Sequence, residues 1–317
     1  MDSCNSSSQG VGRMITRTWL VVGAGGFIGG HLVRALVTSG DRVIALSPRA
    51  LPPGDSTTWV DATTVTGDAL ASWFESSDGV IWLAGSSTPS SSAGRPLAEL
   101  DSNLRPLLNL IQASIGAPAR RVVYLSTGGA IYGDVEVRDA TEQARLEPKS
   151  FYSAGKLAAE AFLSAWSHEG DHDITVLRPS NVYGPGQPFR SGFGIVPTAF
   201  HAVQTGNPIF VRGDGTAVRD YLFVDDLVSL VIKALSKSIS PGFRTINASS
   251  HVPVSLNTLL DLIGDILGKA VPREYHDARA FDVHRIVLDN ALARDAFDWV
   301  PRTDLRDGLE RTWRAAR

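Results

Sequence analysis

The chain has 317 residues, 43% of them hydrophobic, and at roughly 150 residues per domain that length fits about two domains or one large α/β domain. Lys+Arg 30 against Asp+Glu 33 leaves a net charge of −3, with no basic stripe interleaved with aromatics, so a nucleic-acid partner is not expected. The single cysteine, Cys4, excludes an internal disulfide, and no Cys/His cluster has zinc spacing, so no metal is expected and a reducing, cytoplasmic setting fits.

Residues 1–13 are polar, lack the apolar stretch of a secretory signal and are expected to be a disordered extension, with Met14 an alternative start. No run approaches the ~18 apolar residues of a membrane span. From Thr18 onward, short apolar runs alternate with helical periodicity, the pattern of βαβ units on a parallel sheet. Strands are expected at 19–22, 42–46, 79–83, 121–125 and 174–177, with Gly40, Gly116, Pro118 and Gly170 among the stop signals between helix and strand. The alternation ends near Gly184-Pro185-Gly186, which places a dinucleotide-binding domain at 14–185 and a mainly substrate-binding region at 186–317. The serine-rich stretch 86–92 follows a strand and is expected to be a loop at the carboxyl edge of the sheet, where ligands bind in such folds.

The first strand runs into Gly23-Ala24-Gly25-Gly26-Phe27-Ile28-Gly29-Gly30 and then a helical pattern. Glycines at 23, 26 and 29 permit a tight turn, close approach of backbone to a pyrophosphate, and close helix packing, while the helix N-terminus offers N–H donors. The spacing is G-x-x-G-x-x-G, with Ile28 where G-x-G-x-x-G would need its third glycine. Further on, Tyr152 and Lys156 stand four apart at the opening of a helical stretch, on one face. An ammonium stabilises phenolate, so such a tyrosine can exchange a proton with an alcohol near neutral pH. Ser126 and Thr127 end the strand between the two motifs.

In that order, with Gly67-Asp68, Leu83-Ala84-Gly85, Asn103, Tyr132-Gly133, the run from Arg178 to Gly184, Arg219-Asp220-Tyr221, Arg279 with Asp282 and Arg285, and Trp299-Val300-Pro301, the chain resembles the extended short-chain dehydrogenases/reductases of the nucleotide-sugar epimerase and dehydratase family. The resemblance implies a Rossmann-type doubly wound parallel sheet with a smaller C-terminal α/β region that binds substrate. It places Gly23, Gly26, Phe27, Ile28 and Gly29 on the cofactor phosphates, Asp68 and Ala69 near the adenine, Leu83 and Ala84 beside the cofactor, and Asn103 and Lys156 on the nicotinamide ribose. Asn181, Arg219, Arg279 and Asp282 fall to the substrate side, where guanidinium forks suit a diphosphate. The implied catalytic group is Tyr152 with Lys156 and a hydroxyl, Thr127 counted from the strand, with Ser126 the alternative.

Dehydratases of the family carry an acidic pair just after their threonine; here Gly128-Gly129 stands in that place. An acidic residue should also end the second strand to hold an NAD ribose, yet the chain reads Leu46-Ser47-Pro48-Arg49, in which Ser47 and Arg49 could accept a 2′-phosphate. The expected activity is a UDP-hexose 4-epimerase using NAD, with NADP as the alternative cofactor. An NADPH-dependent 4-ketoreductase and a non-catalytic NADP sensor are the other readings. His168 and His172 near Glu169 read as a solvated turn, and Leu104, Leu107, Leu108 and Ile111 as core or as the seam of a homodimer.

Overall fold

The computed structural model describes residues 16–49, 54–135, 138–190, 194–237, 241–278 and 283–317. The first half runs β1 (Thr18–Val22), α1 (Phe27–Thr38), β2 (Arg42–Ser47), β3 (Thr57–Asp61), α2 (Gly67–Ser76), β4 (Gly79–Trp82), α3 (Pro96–Glu99), α4 (Arg105–Ala113), β5 (Arg121–Leu125), α5 (Phe151–Gly170) and β6 (Asp173–Pro179), with a π-helical turn, Leu100–Leu104, joining α3 to α4. The second half runs β7 (Asn181–Tyr183), α6 (Ile195–Thr205), β8 (Ile209–Arg212), β9 (Val218–Arg219), β10 (Tyr221–Phe223), α7 (Val224–Ser236), β11 (Gly242–Ala248), β12 (Val254–Ser255), α8 (Leu256–Leu267), β13 (Arg273–His276), β14 (Arg285–Ile286), α9 (Ala291–Phe297) and α10 (Leu305–Ala316).

Among the described residues, seven strands pair in the order β11-β6-β5-β4-β1-β2-β3, parallel throughout. The chain builds outward from β1 in one direction and from β4 in the other. The switch point at which such sheets bind ligands therefore lies between β1 and β4, at their carboxyl ends. Alternate residues of β1 divide between the two faces: Trp19 and Val21 join the core under α1 and α7, and Leu20 and Val22 the core under α2, α4 and α5. Burial on both faces is why the central strands read as continuous apolar runs.

The five expected strands are all present. β3 and β11 go beyond them, because TTWVD and GFRTINA carry too few apolar residues to stand out, and only pairing to β2 and β6 makes them strands. A linear cut at 185 does not follow the packing, since β11 extends the main sheet and α7 packs on α1. The remaining second-half elements surround their own core, with Phe200, Val211, Leu260 and Leu309 at its centre. His31 of α1 ties the halves together, bonding Asp225 Oδ1 and the Pro185 carbonyl at 2.8 Å each.

Asp220 is a tie within the second half, and a pH-sensitive one. It is 1% exposed, and its Oδ2 accepts the Leu288 N–H at 2.9 Å. Burial pushes its carboxyl up to about 7. Between the ordinary carboxylate range and about 7 the native state therefore holds a proton that the unfolded chain has released, so this group makes stability fall as pH rises through that window and level off above it. Asp220→Asn is expected to flatten that slope, as read from urea unfolding at pH 5 and pH 8. An equal slope in both proteins would contradict the assignment.

Candidate active site

Gly23 sits at φ +91°, and a Cβ there would stand 2.7 Å from the Ala84 amide nitrogen. A Cβ on Gly29 would come 2.3 Å from the Gly23 carbonyl oxygen. Both positions need glycine for the strand, the turn and α1 to close on each other. Gly26 precedes α1 with no side-chain cap, and the first turn, which includes Phe27 and Ile28, holds no acidic residue. A long helix whose leading amides are left unpartnered beside a tight turn fits a diphosphate. Leu83 and Ala84 follow β4 directly, and the Leu83 N–H donates to Val22 at 2.8 Å, which seats both against the glycine turn.

At the end of β2, Ser47 is 1% exposed and its Oγ accepts the Arg49 N–H at 3.1 Å. A Cβ on Gly25 would lie 2.2 Å from that hydroxyl, so Ser47 forms the floor of the turn, and the Arg49 side chain is exposed. Across the sheet Asp61 lies in register with Ser47, and its Oδ1 accepts from the Thr63 amide and hydroxyl. Asp68 is exposed in the first turn of α2, and the Ala69 N–H is capped by Thr66 Oγ1 at 3.3 Å.

The loop after β4 is organised by Asn103. Its Oδ1 accepts the Ser86 N–H at 2.9 Å, and its Nδ2 donates to Ser87 Oγ and Glu99 Oε1, each at 2.9 Å. Asn103 therefore shapes the loop and orients Glu99, with its own polar atoms engaged inside the protein. The π turn that carries it is the kind of local insertion that re-aims side chains at functional sites. The serine-rich stretch closes over the next helix, where Ser92 Oγ accepts the Tyr152 N–H at 3.1 Å.

α5 begins with a reciprocal cap between Ser150 and Ser153, which fixes where its first turn points. Tyr152, Lys156 and Glu160 then fall four apart on one face. Lys156 Nζ donates to the Leu125 carbonyl at 2.8 Å, lies 4.9 Å from the Tyr124 ring centre, and comes 3.8 Å from where a Cβ of Gly85 would stand. Ala84-Gly85 thus joins the glycine turn to the lysine. Burial pulls the Lys156 ammonium down to about 8, with the carboxylates of Glu99 and Glu160 pulling it back up. Burial pushes the Tyr152 phenol up, against a hydrogen bond from Thr127 that lowers it.

The structure separates the two hydroxyls at the end of β5. Thr127 meets Tyr152. Ser126 Oγ instead donates to Glu160 Oε1 at 2.5 Å, in a buried network where Arg178 grips the same carboxylate at 2.6 Å and Tyr132 at 2.9 Å. Glu99, Ser92, Ser150 and Glu160 are site-building residues that the sequence reading passed over. Of these, only the four-residue step from Lys156 to Glu160 left a periodic signal.

On the substrate side, Asn181 opens β7, with its Oδ1 3.3 Å from where a Cβ of Gly129 would stand. The Arg219 guanidinium donates to the carbonyls of Val218, Val283 and His284, bracing the chain that follows the segment containing Arg279 and Asp282. Arg279 and Asp282 themselves lie outside the described residues.

An uncapped glycine turn at the switch point, with a Thr–Tyr–Lys group at the same edge, defines an α/β protein built to hold a dinucleotide against a hydroxyl-bearing substrate. Residues 19–248 match the NAD dependent epimerase/dehydratase family. The UDP-glucose 4-epimerase of Mycolicibacterium smegmatis is 32% identical over 303 residues, covering 92% of this chain and 96% of that one. The UDP-glucuronate 4-epimerase of Thermodesulfobacterium geofontis is 28% identical over 93% of this chain and 94% of its own. Among solved structures, MoeE5 in complex with UDP-glucuronic acid and NAD superposes with a TM-score of 0.86 at 29% identity, covering 94% of this chain and 98% of that one. The chain belongs to the NAD dependent epimerase/dehydratase family.

Proposed function

We propose that the chain is a nucleotide-sugar 4-epimerase that uses NAD and acts on a UDP-linked hexose or hexuronate. The observation that carries this reading is the gathering of Thr127, Tyr152 and Lys156, whose Nζ is fixed on the Leu125 carbonyl, at the sheet edge that also holds the glycine turn. Relatives named for UDP-glucose and UDP-glucuronate support the substrate class, and the neighbour bound to NAD supports the cofactor. The residues that would hold the dinucleotide are the turn from Gly23 to Gly29, Ser47, Leu83, Ala84, Tyr152 and Lys156. When bound, the nicotinamide supplies a reversible hydride acceptor for C4 of the sugar.

Tyr152 takes the proton of the 4-hydroxyl as a general base, and Thr127 shares the hydrogen bond of that hydroxyl. Lys156 holds the phenolate by its charge. The 4-keto sugar then turns over in the site, and Tyr152 returns the proton to the 4-oxygen once C4 has regained hydride on its other face. Asn181, Arg219 and Arg279 would keep the diphosphate anchored while the sugar turns. Elimination of water is disfavoured, because the place of the acidic pair is taken by glycine: a Cβ on Gly128 would come 2.2 Å from Leu288 Cδ1 and 2.9 Å from the Arg178 carbonyl oxygen.

Leu104 and Leu107 are buried in the core with Leu108 and Ile111 packed against it, so a homodimer seam would fall instead to Leu97, Leu100 and Phe162, exposed around α3, the π turn and α5. No helix among the described residues is long and apolar enough to cross a membrane, and a cytoplasmic setting agrees with the cysteine content. The ketoreductase reading draws on Ser47 and the exposed Arg49, where a 2′-phosphate could sit. Two incubations divide the readings: UDP-glucose or UDP-glucuronate with the protein and NAD, and a UDP-4-keto-hexose with the protein and NADPH, with sugar product and reduced nicotinamide followed in both. Epimer without net change in nicotinamide is expected in the first, and no epimer there with NADPH oxidised in step with product in the second would replace the epimerase reading by the reductase.

A further inference from the structure

Glu99 is an anomaly of this site. It is 5% exposed, yet its second oxygen, Oε2, has no hydrogen-bond partner among the described residues. Its Oε1 accepts from Asn103 at 2.9 Å, and the carboxylate presses on α5 so closely that a Cβ on Gly155 would lie 2.8 Å from Oε1. Gly155 is the residue between Ala154 and Lys156, so the contact falls within the turn that spans Tyr152 and Lys156. A buried carboxylate with an unsatisfied oxygen is costly, and folds retain one where a charge compensates it.

The charged and titratable groups around it identify that charge. On α5 stand Tyr152, Lys156 and Glu160, and on β5 Tyr124. Glu160 is already matched by Arg178 of β6 at 2.6 Å, and two residues beyond Glu99 the exposed Asp101 is matched by Arg105. Among the described residues Lys156 makes no salt bridge and donates only to the Leu125 carbonyl. Of these described groups, the Glu99 carboxylate and the Lys156 ammonium are left, on facing elements.

We propose that Glu99 is a positioning residue of the active site: it is the counter-charge of Lys156, clamped in place by Asn103 and admitted to α5 by the missing side chain at Gly155. The role rests on the Tyr–Lys reading given above and adds to it a third charge. Glu99 raises the proton affinity of both Lys156 and Tyr152. Its negative charge keeps Lys156 an ammonium despite burial, and sets the pH at which the Tyr152 phenol gives up its proton.

Glu99→Gln keeps the shape and the acceptor for Asn103 while removing the charge. The Tyr152 titration, read as tyrosinate absorbance of each protein minus that of its Tyr152→Phe counterpart, is expected to move to lower pH by about one unit. The pH profile of kcat is expected to move the same way on both limbs, with its width kept. Glu99→Asp should restore part of the shift. Gly155→Ala, which pushes the carboxylate off α5, should give a smaller shift of the same sign and serves if Glu99→Gln does not fold. A titration midpoint unchanged in the folded variants, with only the melting temperature lowered, would make Glu99 a packing residue and overturn the proposal. Because the absorbance titration needs no substrate, it stands or falls separately from the epimerase assay.

Discussion

Tyr152→Phe is expected to slow turnover by about 10²- to 10⁴-fold, the range that a positioned acid–base group contributes. The substitution removes one oxygen from a side chain whose ring is half-buried at the start of α5 and whose backbone N–H is held by Ser92. The ring and the helix stay in place, so affinity for NAD and UDP, measured by calorimetry, should remain within a few-fold of the parent. Thr127→Ala in the same assay should cost about tenfold to a hundredfold, the worth of one hydrogen bond to a charged group. Ser126→Ala, which touches Glu160 and not Tyr152, should spare kcat. Full turnover in Tyr152→Phe, or a greater loss in Ser126→Ala than in Thr127→Ala, would remove the proton-transfer scheme.

The largest stability effect is expected at Arg178. Its guanidinium is buried and donates to both oxygens of Glu160, which is buried as well, and also to the Tyr132 hydroxyl at 2.9 Å. Tyr132 in turn donates to Asn247 Oδ1 of β11 at 2.7 Å, so the network ties β5, β6, α5 and the outermost strand. Arg178→Ala leaves the Glu160 carboxylate buried with the Ser126 hydroxyl as its one remaining hydrogen-bond donor among the described residues, a change that typically costs about 3–5 kcal/mol. Urea denaturation should show that loss, and Arg178→Met with Glu160→Leu should recover much of it, since a well-packed apolar pair avoids the desolvation of two charges. A loss below about 1 kcal/mol in the single variant would mean that the network is solvated.

Much of this protein is written in local pattern. The buried runs of β1, β4 and β5, the glycines at 23, 26 and 29, and the four-residue step from Tyr152 to Lys156 each obey a short-range rule of backbone conformation or helical periodicity. Such rules need only neighbouring residues, which is why the parallel sheet, the dinucleotide turn and the family resemblance were legible without coordinates. The choice between Ser126 and Thr127 was not. Adjacent residues at a strand end point to opposite sides, and which side faces α5 depends on how the sheet and helix pack. Packing likewise made strands of 57–61 and 242–248, whose own residues are too polar to announce them, and drew residues from beyond 186 back into the sheet. Glu99 is the clearest case. By sequence it is one more acid on a short helix, and it becomes part of the site only because folding sets α3 against Gly155 and buries its carboxylate opposite Lys156. Periodicity carries the elements, whereas charges interact through space, so the electrostatics of the site exist only once the distant segments have met.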